Sequence, residues 1–249
     1  MKTAILRSTS PGLNETCAKA LHKMGYTIVA LDPTPQPLHT ASYCVHDTFD
    51  LSTPVGAESA VLFADKIGPI TLLFNNAATH KNSPVNATWE DSCTEWESVF
   101  DTTLLSTLLL SRASVPALQA SGGGSIINLS STDVLPVNPH PRSNADNYPT
   151  NPPDQDILNA ATWALNGFTD AWAQRLRDDH INVNGLCITR AQQSDSGYQQ
   201  LTANVLLQLL QSNRTGENIG IWPGDTDALP PIPAPHQKIT GNTQPTKTK

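Results

Sequence analysis

GSIINLSS (residues 124–131) and, after a polar excursion, DILNAATWALNGFTDAWAQRL (residues 156–176) decide the fold. The first piece is a short run carried by Ile126, Ile127 and Leu129 that closes on a serine pair, the pattern of a buried parallel strand ending at a site. In the second, Leu158, Ala161, Leu165, Phe168, Trp172 and Leu176 recur at helical spacing and predict a long amphipathic helix over 157–178. A strand, an excursion and a helix make one half of a βαβ unit. Residues at the carboxyl end of such a strand face the crevice where open α/β sheets bind ligands, so Ser130, Ser131 and Asp133 become the first site candidates.

Outward from that centre the same alternation repeats. Apolar runs at 3–6, 27–31, 42–46, 71–74, 181–188 and 218–222 read as strands, and helical spacing marks 13–24, 55–66, 96–119 and 199–211. Strand and helix alternate throughout, and right-handed crossovers then require a single doubly wound parallel sheet of about seven strands flanked by helices, a Rossmann-like α/β fold. A chain of 249 residues is long enough to bury one full core. Residues 1–228 are expected to form that domain, with an irregular insert at 132–156. The Pro-, Thr- and Lys-rich stretch 229–249 is expected to be a mobile tail.

Several phrases, KTAIL, TIVALD, LLFNNAA, TLLLSRA, GGSIINLSS, ALNGFT and INVNGLC, stand in the order and wording of the short-chain dehydrogenase/reductase family, which the chain resembles over roughly residues 2–222. The resemblance implies a nicotinamide cofactor. In the family the first turn carries three glycines, which let backbone N–H groups approach a pyrophosphate at a helix N-terminus. Here those positions read Ser8, Gly12 and Asn14, preceded by Arg7, so one glycine of three remains. Asp32 ends the second strand, where a carboxylate would accept from the ribose hydroxyls and repel a 2′-phosphate, favouring NAD over NADP. Asp50 and Leu51 resemble the adenine-contacting pair, and Asn75, Asn76, Ala77 and Ala78 the family's Asn-Asn-Ala-Gly. By resemblance the cofactor-binding set is Ser8, Gly12, Asp32, Asp50, Leu51, Asn76 and Ala77.

Family catalysis needs a Tyr acid/base, a Lys four residues on that lowers its pKa, a Ser for the substrate oxygen and an Asn that holds a relay water. Counting from ALNGFT puts Leu158 at the Tyr position and Thr162 at the Lys position; counting from LLSRA puts Thr103 at the Asn position. Ser131 alone is kept, and Ile188 and Thr189 replace the Pro-Gly that shapes the nicotinamide pocket. Asp133 is fixed near Ser131 by its position. The insert adds His140, Arg142, Asp146, Tyr148, Asp154 and Asp156, of which Tyr148 is the candidate substitute acid. Ser131, Asp133 and Tyr148 are therefore the candidate catalytic residues. A solvated, proline-rich surface insertion is the plainer account of any one insert residue.

Three functions fit. One is a divergent family member with a small-molecule crevice that runs redox-neutral acid/base chemistry or is catalytically silent. Another is an NAD-dependent oxidoreductase with a rewired acid. The third is a non-catalytic binding or scaffold subunit. A net charge of -7 with scattered Lys and Arg gives no footprint for nucleic acid or an acidic membrane. No apolar run is long enough to span a bilayer, and KTAIL leaves no room for a signal-peptide core. Four cysteines, Cys17, Cys44, Cys93 and Cys187, show no CxxC spacing and suggest buried thiols, no metal site and a cytoplasmic location. By resemblance the partners are a small-molecule ligand and further copies of the chain, as a homodimer or homotetramer.

Overall fold

The computed structural model describes residues 2–8, 12–31, 37–76, 86–135, 155–189, 192–222 and 224–225. Asp32, Ala77 and Tyr148, the insert residues 136–154 and the tail from 226 onward lie outside them.

The elements run β1 Lys2–Leu6, α1 Leu13–Lys23, β2 Tyr26–Ala30, β3 Cys44–His46, α2 Pro54–Asp65, β4 Ile70–Asn75, α3 Trp89–Val99, α4 Ser106–Ala120, β5 Gly124–Ser131, α5 Asp156–Arg175, β6 Ile181–Ile188, α6 Ser196–Gln211 and β7 Asn218–Ile221. All seven strands pair in parallel, in the order β3-β2-β1-β4-β5-β6-β7. The chain winds outward from β1 in one direction and, after β3, returns through β4 in the other. The switch point therefore lies between β1 and β4, and β5 has a neighbour on each side.

Alternate strand residues feed two cores. Ala4, Leu6, Leu72, Phe74, Ile127 and Leu186 pack under α1 and α6, with Leu21, Leu206 and Leu209 opposite them. Ile5, Leu73, Ile126 and Val183 face α2, α4 and α5, with Val61, Leu110, Leu118 and Ala173. Each fully buried Leu, Ile or Phe contributes about 1.5–3 kcal/mol of transfer free energy, which is why such strands read as nearly unbroken apolar runs.

Helix starts differ from the sequence reading where polar caps, rather than apolar residues, set them. The long central helix begins at Trp89, not Trp96, because Thr88 Oγ1 accepts from Asp91 N at 3.1 Å and caps the first turn. It then passes through a π-helical segment, Phe100–Leu105, before continuing as α4. α6 begins three residues early, at Ser196, because the Asp195 carboxylate accepts from Tyr198 N at 2.7 Å. The insert's first residues are ordered: Thr132–Val134 form a 3₁₀ turn directly after β5. The expectation of four buried thiols fails at Cys93, which is exposed on α3. That helix buries only Ser92 and Val99, so its outer faces meet solvent.

Candidate functional site

The site is anchored by a buried polar chain that fixes the end of β4 against the middle of β5. Asn75 Nδ2 donates to Ser111 Oγ at 3.1 Å and to Asn128 Oδ1 at 2.9 Å, and Asn128 Nδ2 donates to Thr169 Oγ1 at 2.9 Å. Thr169 Oγ1 donates in turn to the Leu165 carbonyl. Four side chains thus join two strands to α4 and α5. Asn75 is the first residue of the Asn-Asn pair, and its place in this chain makes it a tether.

Ser131 is the last residue of β5. Its Oγ accepts from Asp133 N at 3.1 Å and donates to Asp133 Oδ2 at 2.9 Å, capping the 3₁₀ turn. The serine is fully buried while Asp133 is exposed. The two residues that sequence reasoning put together are together, and their side chains are bonded to each other. Ser130 points elsewhere, donating to Asn166 Oδ1 at 2.7 Å.

Beside them lies a cavity of about 20 Å³ whose walls include Thr103, Ser130, Leu158, Thr162, Ile188 and Gln193. Thr103, Leu158, Thr162 and Ile188 are the positions counted along the chain as those of the family's Asn, Tyr, Lys and Pro. The fold gathers all four around one space. None of these lining side chains is ionisable. Leu158 is buried, and Thr162 Oγ1 donates to the Leu158 carbonyl one turn back, at 2.5 Å. The part of this space bounded by the described residues has room for about one water.

At the end of β6 the missing Pro-Gly turn is replaced by a clamp. The Tyr198 hydroxyl accepts from Thr189 N at 2.7 Å and donates to the Ile221 carbonyl at 2.6 Å. Burial pushes the Tyr198 pKa up. Thr189 Oγ1 lies 3.1 Å from Thr132 Oγ1, so the ends of β5, β6 and β7 are tied together.

Side chains also meet at the described ends of the first turn. Gly12 has φ 97°, the left-handed region that favours glycine. A Cβ there would sit 3.2 Å from Gln199 Nε2. Asn14 is buried at the start of α1; its Nδ2 donates to Ser8 Oγ at 3.3 Å and its Oδ1 accepts from Asn76 Nδ2 at 2.5 Å. Arg7 sends Nη1 to Thr107 Oγ1 at 2.9 Å and Nη2 to the Thr102 carbonyl, inside the π-helical segment. Burial lowers its guanidinium pKa to about 10. The Asp50 carboxylate is exposed and accepts from Ser52 N at 3.1 Å, shaping the turn before α2, and Leu51 is buried in the second core. Sequence reasoning assigned no role to Tyr198 or Gln199, since each reaches the site from α6.

The chain belongs to the short-chain dehydrogenase family, whose sequence profile matches residues 2–143. It is 28% identical to the ketoacyl reductase HetN of Nostoc sp. over 196 residues, 75% of this chain and 62% of that one. With the cyclohexanol dehydrogenase of Acinetobacter sp. it shares 30% identity over 142 residues, 52% of this chain and 55% of that one. The matches thus span a little over half the length of these two relatives. Acetoin dehydrogenase from Enterobacter cloacae superposes with a TM-score of 0.71 at 21% identity, covering 88% of this chain and 93% of the other. A variant of a Serratia marcescens short-chain dehydrogenase/reductase gives 0.69 at 19%, covering 88% and 95%. These two structures share the Rossmann-like fold with the chain. Dehydrogenases of the family generally use NAD or NADP. The described residues of the first turn depart from the family's cradle for such a cofactor: Ser8 and Asn14 stand at two of its three glycine positions, with Asn14 bonded to both Ser8 and Asn76.

Among the described residues no helix is long and apolar enough to cross a membrane.

Proposed function

We propose that this chain is a divergent short-chain dehydrogenase that binds a small molecule at the carboxyl edge of its sheet without performing nicotinamide-dependent carbonyl reduction. One observation carries the reading: Thr103, Leu158, Thr162 and Ile188 converge on one small cavity in place of the family's catalytic set. A tyrosine hydroxyl acidified by a lysine is worth a few powers of ten in proton transfer, and neither half is present at these positions. Any proton chemistry left in the crevice falls to the Ser131–Asp133 pair, with Asp133 open to solvent and Ser131 oriented by it. That chemistry is redox-neutral, or the crevice only binds.

The test is an assay of NADH and NADPH oxidation with a panel of aldehydes and ketones. No turnover above the protein-free rate is expected. If a redox-neutral reaction is found, Ser131→Ala and Asp133→Asn each lower its rate by at least tenfold while the fold is kept. Unchanged rates in both would place the chemistry outside this crevice.

A second reading, an NAD-dependent oxidoreductase with a rewired acid, is favoured by the names of the relatives, a ketoacyl reductase and a cyclohexanol dehydrogenase. In that reading Tyr148→Phe abolishes turnover, and Asp32→Ala narrows a preference for NAD over NADP. Self-association, as a homodimer or homotetramer, belongs to the proposal as well. Trp89, Trp96 and Phe100 on the α3 side and Trp163 on α5 are exposed, which supports pairing through those helices. Sedimentation velocity with Trp163→Glu reads it directly.

A further inference from the structure

We infer that the cofactor cleft is plugged by the chain's own side chains: Ser8, Asn14 and Asn76, roofed by Gln199, take the space at the start of α1 that a diphosphate would need. Glycine at positions 8 and 14 reopens that space to adenosine diphosphates. This deepens the reading above and rests on it.

A helix N-terminus attracts an anion through free backbone N–H groups and the positive end of its dipole, but only where the anion can come close. α1 is an 11-residue helix whose second residue is Asn14. That side chain is buried and bonded on both sides, to Ser8 Oγ and to Asn76 Nδ2, so a line of hydrogen bonds crosses from the end of β1 to the end of β4. This is the switch point, where the two halves of the sheet part and a ligand would enter. Gln199 closes the other side. Its Nε2 donates to the Gln193 carbonyl at 2.8 Å and stands 3.2 Å from the place a Gly12 Cβ would take, and its Oε1 accepts from Thr16 Oγ1 at 3.4 Å. Arg7, the nearest cation along the chain, is turned away: its guanidinium serves Thr107 and the Thr102 carbonyl.

ADP-ribose isolates this end of the cleft, since it lacks the nicotinamide. Calorimetric titration of the full chain with ADP-ribose is expected to give no saturable heat at millimolar ligand. S8G/N14G is expected to bind at least tenfold more tightly. If S8G/N14G loses its native circular dichroism, S8A/N14A, which breaks the same hydrogen bonds without loosening the backbone, takes its place and is expected to show a smaller gain. Saturable binding by the unmodified chain overturns the plug, and if NADH is also turned over, the functional reading falls with it. No gain in a folded variant, with the unmodified chain still silent, overturns the plug alone.

Discussion

Single residues divide this protein's polar groups into tethers and remnants. Asn128 is a tether: it accepts from Asn75 and donates to Thr169 in a fully buried setting. Removing its amide breaks two buried hydrogen bonds, each costing about 1–3 kcal/mol, although Asn75 keeps Ser111 and Thr169 keeps the Leu165 carbonyl. Asn128→Ala should therefore destabilise the chain by about 2–5 kcal/mol in urea unfolding, while Asp133→Asn on the exposed turn should move it by less than about 0.5 kcal/mol. The cysteines separate in the same way. Burial pushes the Cys17 and Cys187 thiols from 9.0 up to about 12, whereas Cys93 is exposed. A thiol reagent should modify one cysteine per native chain and all four after denaturation. Between pH 9.0 and about 12 the unfolded chain loses these two protons while the folded chain keeps them, so stability should fall as pH rises through that window and be indifferent to it below. Urea midpoints at pH 8 and pH 10 check this. The drop should shrink in Cys17→Ala.

At the scale of elements, legibility followed the physics of burial. β1, β2, β4, β5 and β6 read correctly because strands covered on both faces must be apolar along nearly their whole length. β6 matched its expected bounds, Ile181–Ile188. α3 was read seven residues short because its first two turns bury almost nothing, and its start is set by the Thr88 cap. The candidate site divides similarly. Positions 103, 158, 162 and 188 could be counted from neighbouring phrases, and the fold brings them together. Arg7 and Gln199 could not, since their partners lie 100 and 183 positions away along the chain. The π-helical segment was equally hidden. No local pattern announces that the Thr102 carbonyl will be met by a guanidinium from the end of β1.

Taken as a whole molecule, the chain keeps the scaffold of its family and carries side chains, bonded to one another, at two of the three glycine positions of the first turn. The seven-stranded parallel sheet, the switch point between β1 and β4 and the asparagine tether are all in place. What is altered lies at the carboxyl edge: a buried asparagine at the first turn, a leucine and a threonine lining the cavity by Ser130, and a tyrosine clamp where a Pro-Gly turn would stand. Restoring Leu158→Tyr with Thr162→Lys should leave carbonyl reduction at background, because Thr103, Ile188 and the altered first turn would still differ from the family's arrangement. The most direct test of the central claim is a titration of the unmodified full chain with NADH, followed by nicotinamide fluorescence and then by turnover with a carbonyl panel. The account predicts no saturable fluorescence change and no turnover; saturable binding with sustained NADH oxidation would contradict it.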